Sequence, residues 1–350
     1  MCVMSRIEIE DLNEIIYDPV IPWARLNSKS VLVTGATGLI GRTVVNALLY
    51  YGCTVSSPPK VIAPVRNLER AAELFSCQIA SGCPLQFVQW SAEQPLLLEQ
   101  PVDYVIHCAC QTSSSGFVQT PVETVKTAYL GTEHILSFAR EKNVEHVVFL
   151  STMEVYGTPQ TDEKIDETYV GKIDPLTVRN CYPESKRLCE NLCLGYFSEY
   201  NVPVSVARLT QTFGPGVAPT DGRVFAEFAR CVINKQDIVL RTKGETKRSY
   251  LYTADAVRAL LTILLLGQPG HAYNVSNEST YCTILEMAQM VAGKIAQDSI
   301  RVRLELDRPA ESYGYAPVLH MNLDTTKLRQ LGWTPRHGLQ EMFERMISEF

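Results

Sequence analysis

The chain has 350 residues, 46% of them hydrophobic and 20% charged. That is enough apolar material for a large core in one large or two interlocked domains, and it excludes a mini-protein or a disordered chain. A formal net charge of -6, from 32 basic and 38 acidic residues, argues against nucleic acid or an anionic membrane as partner, because both select a basic surplus.

Residues 1 to 28 are a mixed-charge lead-in containing Pro19 and Pro22. Arg6, Glu8, Glu10 and Asp11 leave no room for the apolar stretch of a signal peptide. The segment reads as a helix or extended arm lying outside the core. From Ser30 the pattern changes. SVLVTG is a short apolar strand, followed by glycines and the amphipathic stretch LIGRTVVNALLYYG. VIAPV is a second strand and LERAAELFSCQIA a second helix; LQFVQW and DYVIHCA are strands three and four. A long helix follows Pro121, and HVVFLS is a fifth strand. Apolar runs alternating with helical periods predict a parallel sheet wrapped by helices, with strands buried on both faces.

After Ser151 a polar loop precedes a helix from Tyr182, the strand VPVSVARL and a tail of looser rhythm. In that tail AYNVSN and RVRLEL read as strands, and RVFAEFARCVIN, the stretch from Thr253 to Leu266, and TILEMAQMVAGKIA as helices. The fold class expected is therefore α/β: a Rossmann-type, doubly wound parallel sheet over 29–210, with segments around 250–275 returning to it. Residues 211–350 are expected mainly to form a smaller α/β substrate-binding cap.

The first strand runs into Gly35-Ala36-Thr37-Gly38-Leu39-Ile40-Gly41. Gly35 permits the tight turn. Gly38 lets backbone approach a pyrophosphate, whose charge is favoured at the helix N-terminus. Gly41 lets the helix lie close to the strand. Placed between a strand and a helix, this run predicts a dinucleotide site. At the end of the second strand, where a carboxylate holds the ribose hydroxyls of NAD, the chain has Arg66-Asn67. Arg66 either pairs with a 2′-phosphate, meaning NADP, or lies over adenine or in solvent with NAD bound.

Tyr182-Pro183-Glu184-Ser185-Lys186 puts a phenol and an ammonium one helical turn apart. A nearby cation favours the phenolate and brings a weak base into range. The fifth strand ends in Ser151-Thr152-Met153-Glu154, on the carboxyl edge where ligands of such sheets bind. A hydroxyl there is placed to share a sugar oxygen with Tyr182, and Glu154 supplies a further acid or base.

TGATGLIG, DYVIHCAC, STMEVYG, YPESK, ARLTQTFGPG, KRSYLYTADAV, AYNVSNE and LDTTKLRQLGWTP stand in the order found in the extended short-chain dehydrogenase/reductases that act on nucleotide sugars. The chain resembles that family from residue 30 to the end. Within it, IDPLTVRNCYPESKRLCENLC and PTDGRVFAEF are most similar to UDP-glucuronate decarboxylases, with dTDP-glucose 4,6-dehydratases second. The resemblance implies that Tyr182, assisted by Thr152, takes the proton of the sugar 4-hydroxyl while hydride passes to a bound nicotinamide. The 4-ketone then permits decarboxylation, dehydration or epimerisation before the hydride returns. Thr152, Glu154, Tyr182 and Lys186 are the expected catalytic set. Gly35, Thr37, Gly38, Leu39, Ile40, Gly41, Arg66, Asn67, Cys108 and Ala109, with Tyr182 and Lys186, are expected at the cofactor. Gln211, Arg223 and Arg248 are expected at the substrate, and a homodimer paired through the helices after Pro121 and at Tyr182 is implied.

The departures bear on the second half of the reaction. Met153 stands where dehydratases place an aspartate and decarboxylases a serine, and Gln211 replaces an asparagine. Decarboxylation of a UDP-sugar acid is the first reading. Epimerisation or dehydration on the same fold, an NADPH-dependent carbonyl reductase and a non-catalytic dinucleotide-binding module are the alternatives. The 11 cysteines form no CxxC pair and no zinc set, so no metal is expected. They read as reduced thiols of a cytoplasmic protein. The longest mostly apolar stretch, Ala259 to Leu266, falls short of the roughly 20 residues that span a bilayer.

Overall fold

The computed structural model describes residues 4–307 and 318–350. Thirteen strands occur among them: β1 (Ser30–Thr34), β2 (Lys60–Val65), β3 (Leu85–Gln89), β4 (Tyr104–His107), β5 (His146–Thr152), β6 (Val204–Leu209), β7 (Gln211–Phe213), β8 (Ile238–Leu240), β9 (Lys247–Tyr252), β10 (Ala272–Val275), β11 (Asn277–Thr283), β12 (Val302–Leu304) and β13 (His320–Met321). The main sheet has seven strands in the order β10-β6-β5-β4-β1-β2-β3, and every pairing in it is parallel. This is the doubly wound order, with its switch point between β1 and β4.

The strand sequences explain why both faces are covered. Val31, Val33, Val61, Ala63, Ile106, Val148 and Leu150 point into one core; Leu32, Ile62, Val105, Val147, Phe149, Val204 and Val206 point into the other. Alternate side chains of a strand face opposite sides, so a continuous apolar run feeds two cores. Helices Leu39–Gly52 and Thr253–Leu266 pack together on the first face. Helices Pro121–Lys142 and Cys181–Tyr200 pack together on the second. The helix Thr253–Leu266 and β10 are the segments that return to the large sheet.

The outer layer is built on β9, which pairs antiparallel with β11 and parallel with β7 and β13. β8 and β12 form a separate parallel pair. The stretch AYNVSN, expected as one strand, divides at Ser276 between β10 and β11 and so links the two sheets. The expected second helix breaks into Leu68–Leu74 and Ser76–Ala80. At the break Phe75 turns fully into the core against Phe87, their rings 5.8 Å apart. A helix over Ser114–Gln119 was not expected from its serines and glycine.

The largest difference is at the start of the chain. The helix Arg6–Ile16, opened by a capping box between Ser5 and Glu8, does not lie outside the core. Leu12, Ile15, Ile16, Ile21, Trp23 and Leu26 belong to the main apolar cluster, and Trp23 stacks on Tyr51 at 4.6 Å. Around this apolar seam runs a set of charges. Asp11 accepts from Tyr252 and Arg345, Asp18 from Arg258 and Arg336, and Glu14 pairs with His337. Among the described residues nine cysteines are free thiols. Cys77 is disulfide-bonded, which corrects the expectation of wholly reduced cysteines at that position.

Candidate active site

The glycine run forms the turn between β1 and the helix Leu39–Gly52. Gly35 has φ +66°, and a Cβ there would lie 2.9 Å from the backbone of Cys108 and Ala109. The two loops thus touch through backbone, as close packing at the carboxyl edge of β1 and β4 requires. A Cβ on Gly41 would lie 2.3 Å from the Gly35 carbonyl oxygen, so only glycine lets this helix approach the strand. Gly38 is the N-cap, and no side chain caps the first turn. Its free N–H groups, at the positive end of the helix, fit the phosphates of a dinucleotide.

Thr34 links the two strand ends. Its hydroxyl accepts from Ala109 N at 3.1 Å and meets His107 Nδ1 at 2.7 Å. Burial, and then the charge of Lys186, push His107 down to about 3, so its ring is neutral. A cavity of about 130 Å³ adjoins the glycine loop, lined by Thr37, Gly38, Leu39, Arg42, Arg70 and Glu8 among others. Arg66 is exposed at the end of β2. Asn67 caps the next helix, accepting from Arg70 N at 2.8 Å.

β5 delivers Thr152 at its carboxyl end and a 3-10 turn, Met153–Tyr156, follows at once. Thr152 Oγ1 accepts from Glu154 N at 3.2 Å and caps the turn. Met153 is buried in a small apolar cluster with Ile165, Leu319, Met321 and Leu323, so it brings no polar group to the cleft. Glu154 Oε2 accepts from Arg179 Nη1 at 2.8 Å.

The helix Cys181–Tyr200 carries Tyr182 and Lys186 inward, both buried. The Tyr182 ring is stacked on Phe117 of the unexpected helix, 4.3 Å between centroids at 7°. Burial raises its phenol well above the ordinary tyrosine value, with the nearby Cys110 and Glu154 adding to the rise; a hydrogen bond with Thr152 and the charge of Arg179 pull it down. Lys186 Nζ donates to the Leu150 carbonyl at 2.6 Å and lies 4.5 Å over the Phe149 ring. Arg179 is a residue the sequence reading passed over.

One turn beyond Lys186, Glu190 is buried and accepts from Ser151 Oγ and from Arg208, whose Nη2 lies at 2.6 Å. Arg208 also donates to Tyr156 Oη at 2.9 Å. This network fastens the helix to the ends of β5 and β6.

The residues expected at the substrate lie on the next edge. Gln211 pairs in register with Tyr250, two residues beyond Arg248 on β9. Gln211 Oε1, Arg248 Nε and Tyr250 Oη are buried without a hydrogen-bond partner. Such atoms are rare enough in native proteins to need a reason, and three on one sheet face suggest a polar site completed by something else. Arg223 is engaged differently: it grips Asp221, Nη2 to Oδ2 at 2.6 Å, and lies 4.8 Å over Phe225. No cluster of three metal-ligating side chains occurs among the described residues.

The model of the NAD dependent epimerase/dehydratase family matches residues 31–276. UDP-glucuronic acid decarboxylase 2 of Arabidopsis thaliana is 30% identical over 321 residues, covering 91% of this chain and 68% of that protein. Among solved structures, UDP-glucose 4-epimerase from Thermotoga maritima superposes with a TM-score of 0.77 at 23% identity, covering 92% of this chain and 98% of that one. The dTDP-glucose 4,6-dehydratase DesIV from Streptomyces venezuelae, solved with NAD bound, gives 0.75 at 22% identity, covering 91% and 96%. At that identity the structural likenesses establish the fold.

Proposed function

The chain belongs to the NAD dependent epimerase/dehydratase family, and from that premise we propose that it is a nucleotide-sugar-modifying enzyme acting through a transient 4-keto sugar, with UDP-glucuronate decarboxylation as its reaction. The observation that carries the reading is the convergence, on one edge of the main sheet, of an uncapped glycine-loop helix with Thr152, Glu154, Tyr182 and Lys186.

In this reading Gly35, Thr37, Gly38, Leu39, Ile40 and Gly41 cradle the pyrophosphate, and Cys108 and Ala109 wall the same groove. A bound nicotinamide coenzyme supplies the acceptor, and later the donor, of the hydride at sugar C4. Tyr182 takes the proton of the 4-hydroxyl, sharing the oxygen with Thr152. Lys186, fixed by the Leu150 carbonyl, orients the coenzyme ribose. With a ketone at C4, the C5–C6 bond breaks, carbon dioxide leaves, and the electron pair is held as the enolate. Glu154 relays a proton from solvent to C5, and Tyr182 returns its own proton to O4. No net redox change results. Gln211 and Arg248 receive the nucleotide diphosphate, where their partnerless polar atoms support a ligand role; Arg223 does so from its Asp221 clamp.

Burial of Met153 among apolar side chains disfavours 4,6-dehydration, which needs an acid at that position, and leaves epimerisation as the second outcome. NAD is the proposed coenzyme. The exposed Arg66, with Arg70 beside the glycine-loop cavity, supports NADP as the second reading, and with it a carbonyl reductase. Homodimerisation is supported by exposed Val122, Tyr129 and Leu188 on the two packed helices of one face. The cytoplasmic reading rests on the nine free thiols, and the disulfide at Cys77 points the other way.

The test incubates purified protein with UDP-, dTDP-, CDP- and GDP-sugars and follows product mass without added coenzyme. Loss of carbon dioxide from UDP-glucuronate is the expected result. Unchanged mass with altered retention indicates epimerisation, and stoichiometric consumption of added NADPH indicates the reductase. Tyr182→Phe is expected to be inert on every substrate; retained turnover removes the assigned base.

A further inference from the structure

Arg179 lies in the 3-10 turn Val178–Asn180 that feeds the helix carrying Tyr182. Its guanidinium holds Glu154 Oε2 at 2.8 Å and sits 5.8 Å over Phe117, the ring stacked on the phenol. The two charged side chains are 28% and 24% exposed. That is too buried for a freely solvated surface pair, yet open enough to face a ligand. No described residue donates to the other carboxylate oxygen, Oε1. The charge-assisted bond to one oxygen restricts the swing of the carboxylate and leaves the second oxygen free for a ligand.

We propose that Arg179 is a positioning residue for the second half of the reaction: it fixes Glu154 by one oxygen, leaving the other directed at the sugar carbon beside the transient ketone. The inference rests on the nucleotide-sugar reading. It also bears on substrate class. An unpaired Glu154 would repel a sugar acid at short range, whereas the Arg179–Glu154 pair is neutral and admits a carboxylate-bearing sugar. Glu154 exchanges the proton at the substrate carbon, and Arg179 only holds it in place. Arg179 acts through Glu154, while Tyr182 and Thr152 carry out the initial proton abstraction.

The experiment compares wild type, Arg179→Gln, Arg179→Lys and Glu154→Gln on UDP-glucuronate. It records kcat, KM, melting temperature and the oxidised, decarboxylated sugar released before the hydride is returned to it. For Arg179→Gln the expected result is a kcat lower by about 100-fold, the order of a small misplacement in an active site. KM and melting temperature should hold, and oxidised sugar should leak as the second half stalls. Arg179→Lys is expected to recover about tenfold of the loss, since it restores the charge but not the planar group over Phe117. The Arg179→Gln, Glu154→Gln double variant should be no slower than Glu154→Gln alone, because the two act as one unit. Additive losses, or wild-type kcat in Arg179→Gln without leaked sugar, overturn the proposal; if Arg179→Gln is poorly folded, the same cycle is run with Arg179→Lys. A wild-type protein inert on the whole nucleotide-sugar panel overturns the functional reading itself, and this inference with it.

Discussion

Asp11 and Tyr252 stand 241 positions apart in the chain and meet in the core, the phenol donating to the carboxylate at 2.8 Å. Arg345 closes the triangle, donating to Tyr252 Oη at 2.9 Å and to Asp11 Oδ1 at 2.7 Å. Replacing Asp11 by alanine removes the nearest counter-charge of Arg345 and the acceptor of Tyr252, leaving Glu10 at 3.3 Å and Glu341 at 3.7 Å to hold the guanidinium. The expected cost is about 1–3 kcal/mol, below the scale for a wholly stranded buried charge. Denaturant unfolding at neutral pH measures it; a loss within experimental error would mean that Arg345 finds another partner.

The glycine loop separates binding from stability. Gly41→Ala forces a Cβ to within 2.3 Å of the Gly35 carbonyl oxygen and 2.8 Å of its carbon, so backbone must move. About 1–3 kcal/mol should be lost by overpacking, together with coenzyme affinity. A Cβ at Gly38 meets only the Gly35 oxygen, at 3.3 Å. Gly38→Ala should therefore keep its melting temperature and lose affinity alone. Thermal melts paired with coenzyme titrations distinguish the two variants.

Acid should destabilise the protein through two buried histidines. Burial pushes His146 down to about 4, against the pull of the Leu264 carbonyl, and His107 down to about 3. Both values lie below those of the unfolded chain, so below about pH 6.5 the unfolded state binds protons that the folded state refuses. Stability is complete above that pH and falls as pH drops toward each folded value. Asp11 and the third buried histidine, His337, work the other way: burial raises Asp11 to about 6, and, against its own burial, His337 is raised by Glu14 and Asp255, so part of the loss from His107 and His146 is offset. Calorimetric unfolding at pH 5.5 in buffers of different ionisation heat should show net proton uptake; net release would contradict it.

Glu190→Ala should both weaken the fold and slow the reaction. It strands Arg208, which is mostly buried and gripped through Nε and Nη2 at 3.0 and 2.6 Å, at a cost of about 3–5 kcal/mol. It also frees the helix one turn beyond Lys186, so kcat should fall more than KM rises. Steady-state kinetics below the variant's melting temperature provide the check; kcat unchanged would confine Glu190 to stability.

The parts legible in sequence were those written locally. SVLVTG into a glycine run, YPESK at a helix start and HVVFLST ending on hydroxyls each carry their own period and spacing, and each stands where it was expected. The parts missed depend on distant partners. Nothing near Arg179 in sequence announces Glu154, which lies 25 positions earlier. Phe117 sits in a serine- and glycine-containing segment whose propensities favour a turn, and its helix is fixed by stacking on Tyr182. The arm before Lys29 looked peripheral because its charges suggested solvent, whereas Asp11 and Asp18 are inward and matched by Tyr252, Arg258 and Arg345.

That arm ties the two ends of the polypeptide into one unit. Glu10 and Asp11 hold Arg345, Glu14 holds His337, and Asp18 holds Arg336. A protease cut just before Lys29 would therefore loosen the closing helix Leu339–Ile347 as well. Digestion should trim both ends together, and an affinity tag that strains the first helix would register as fraying at the far terminus.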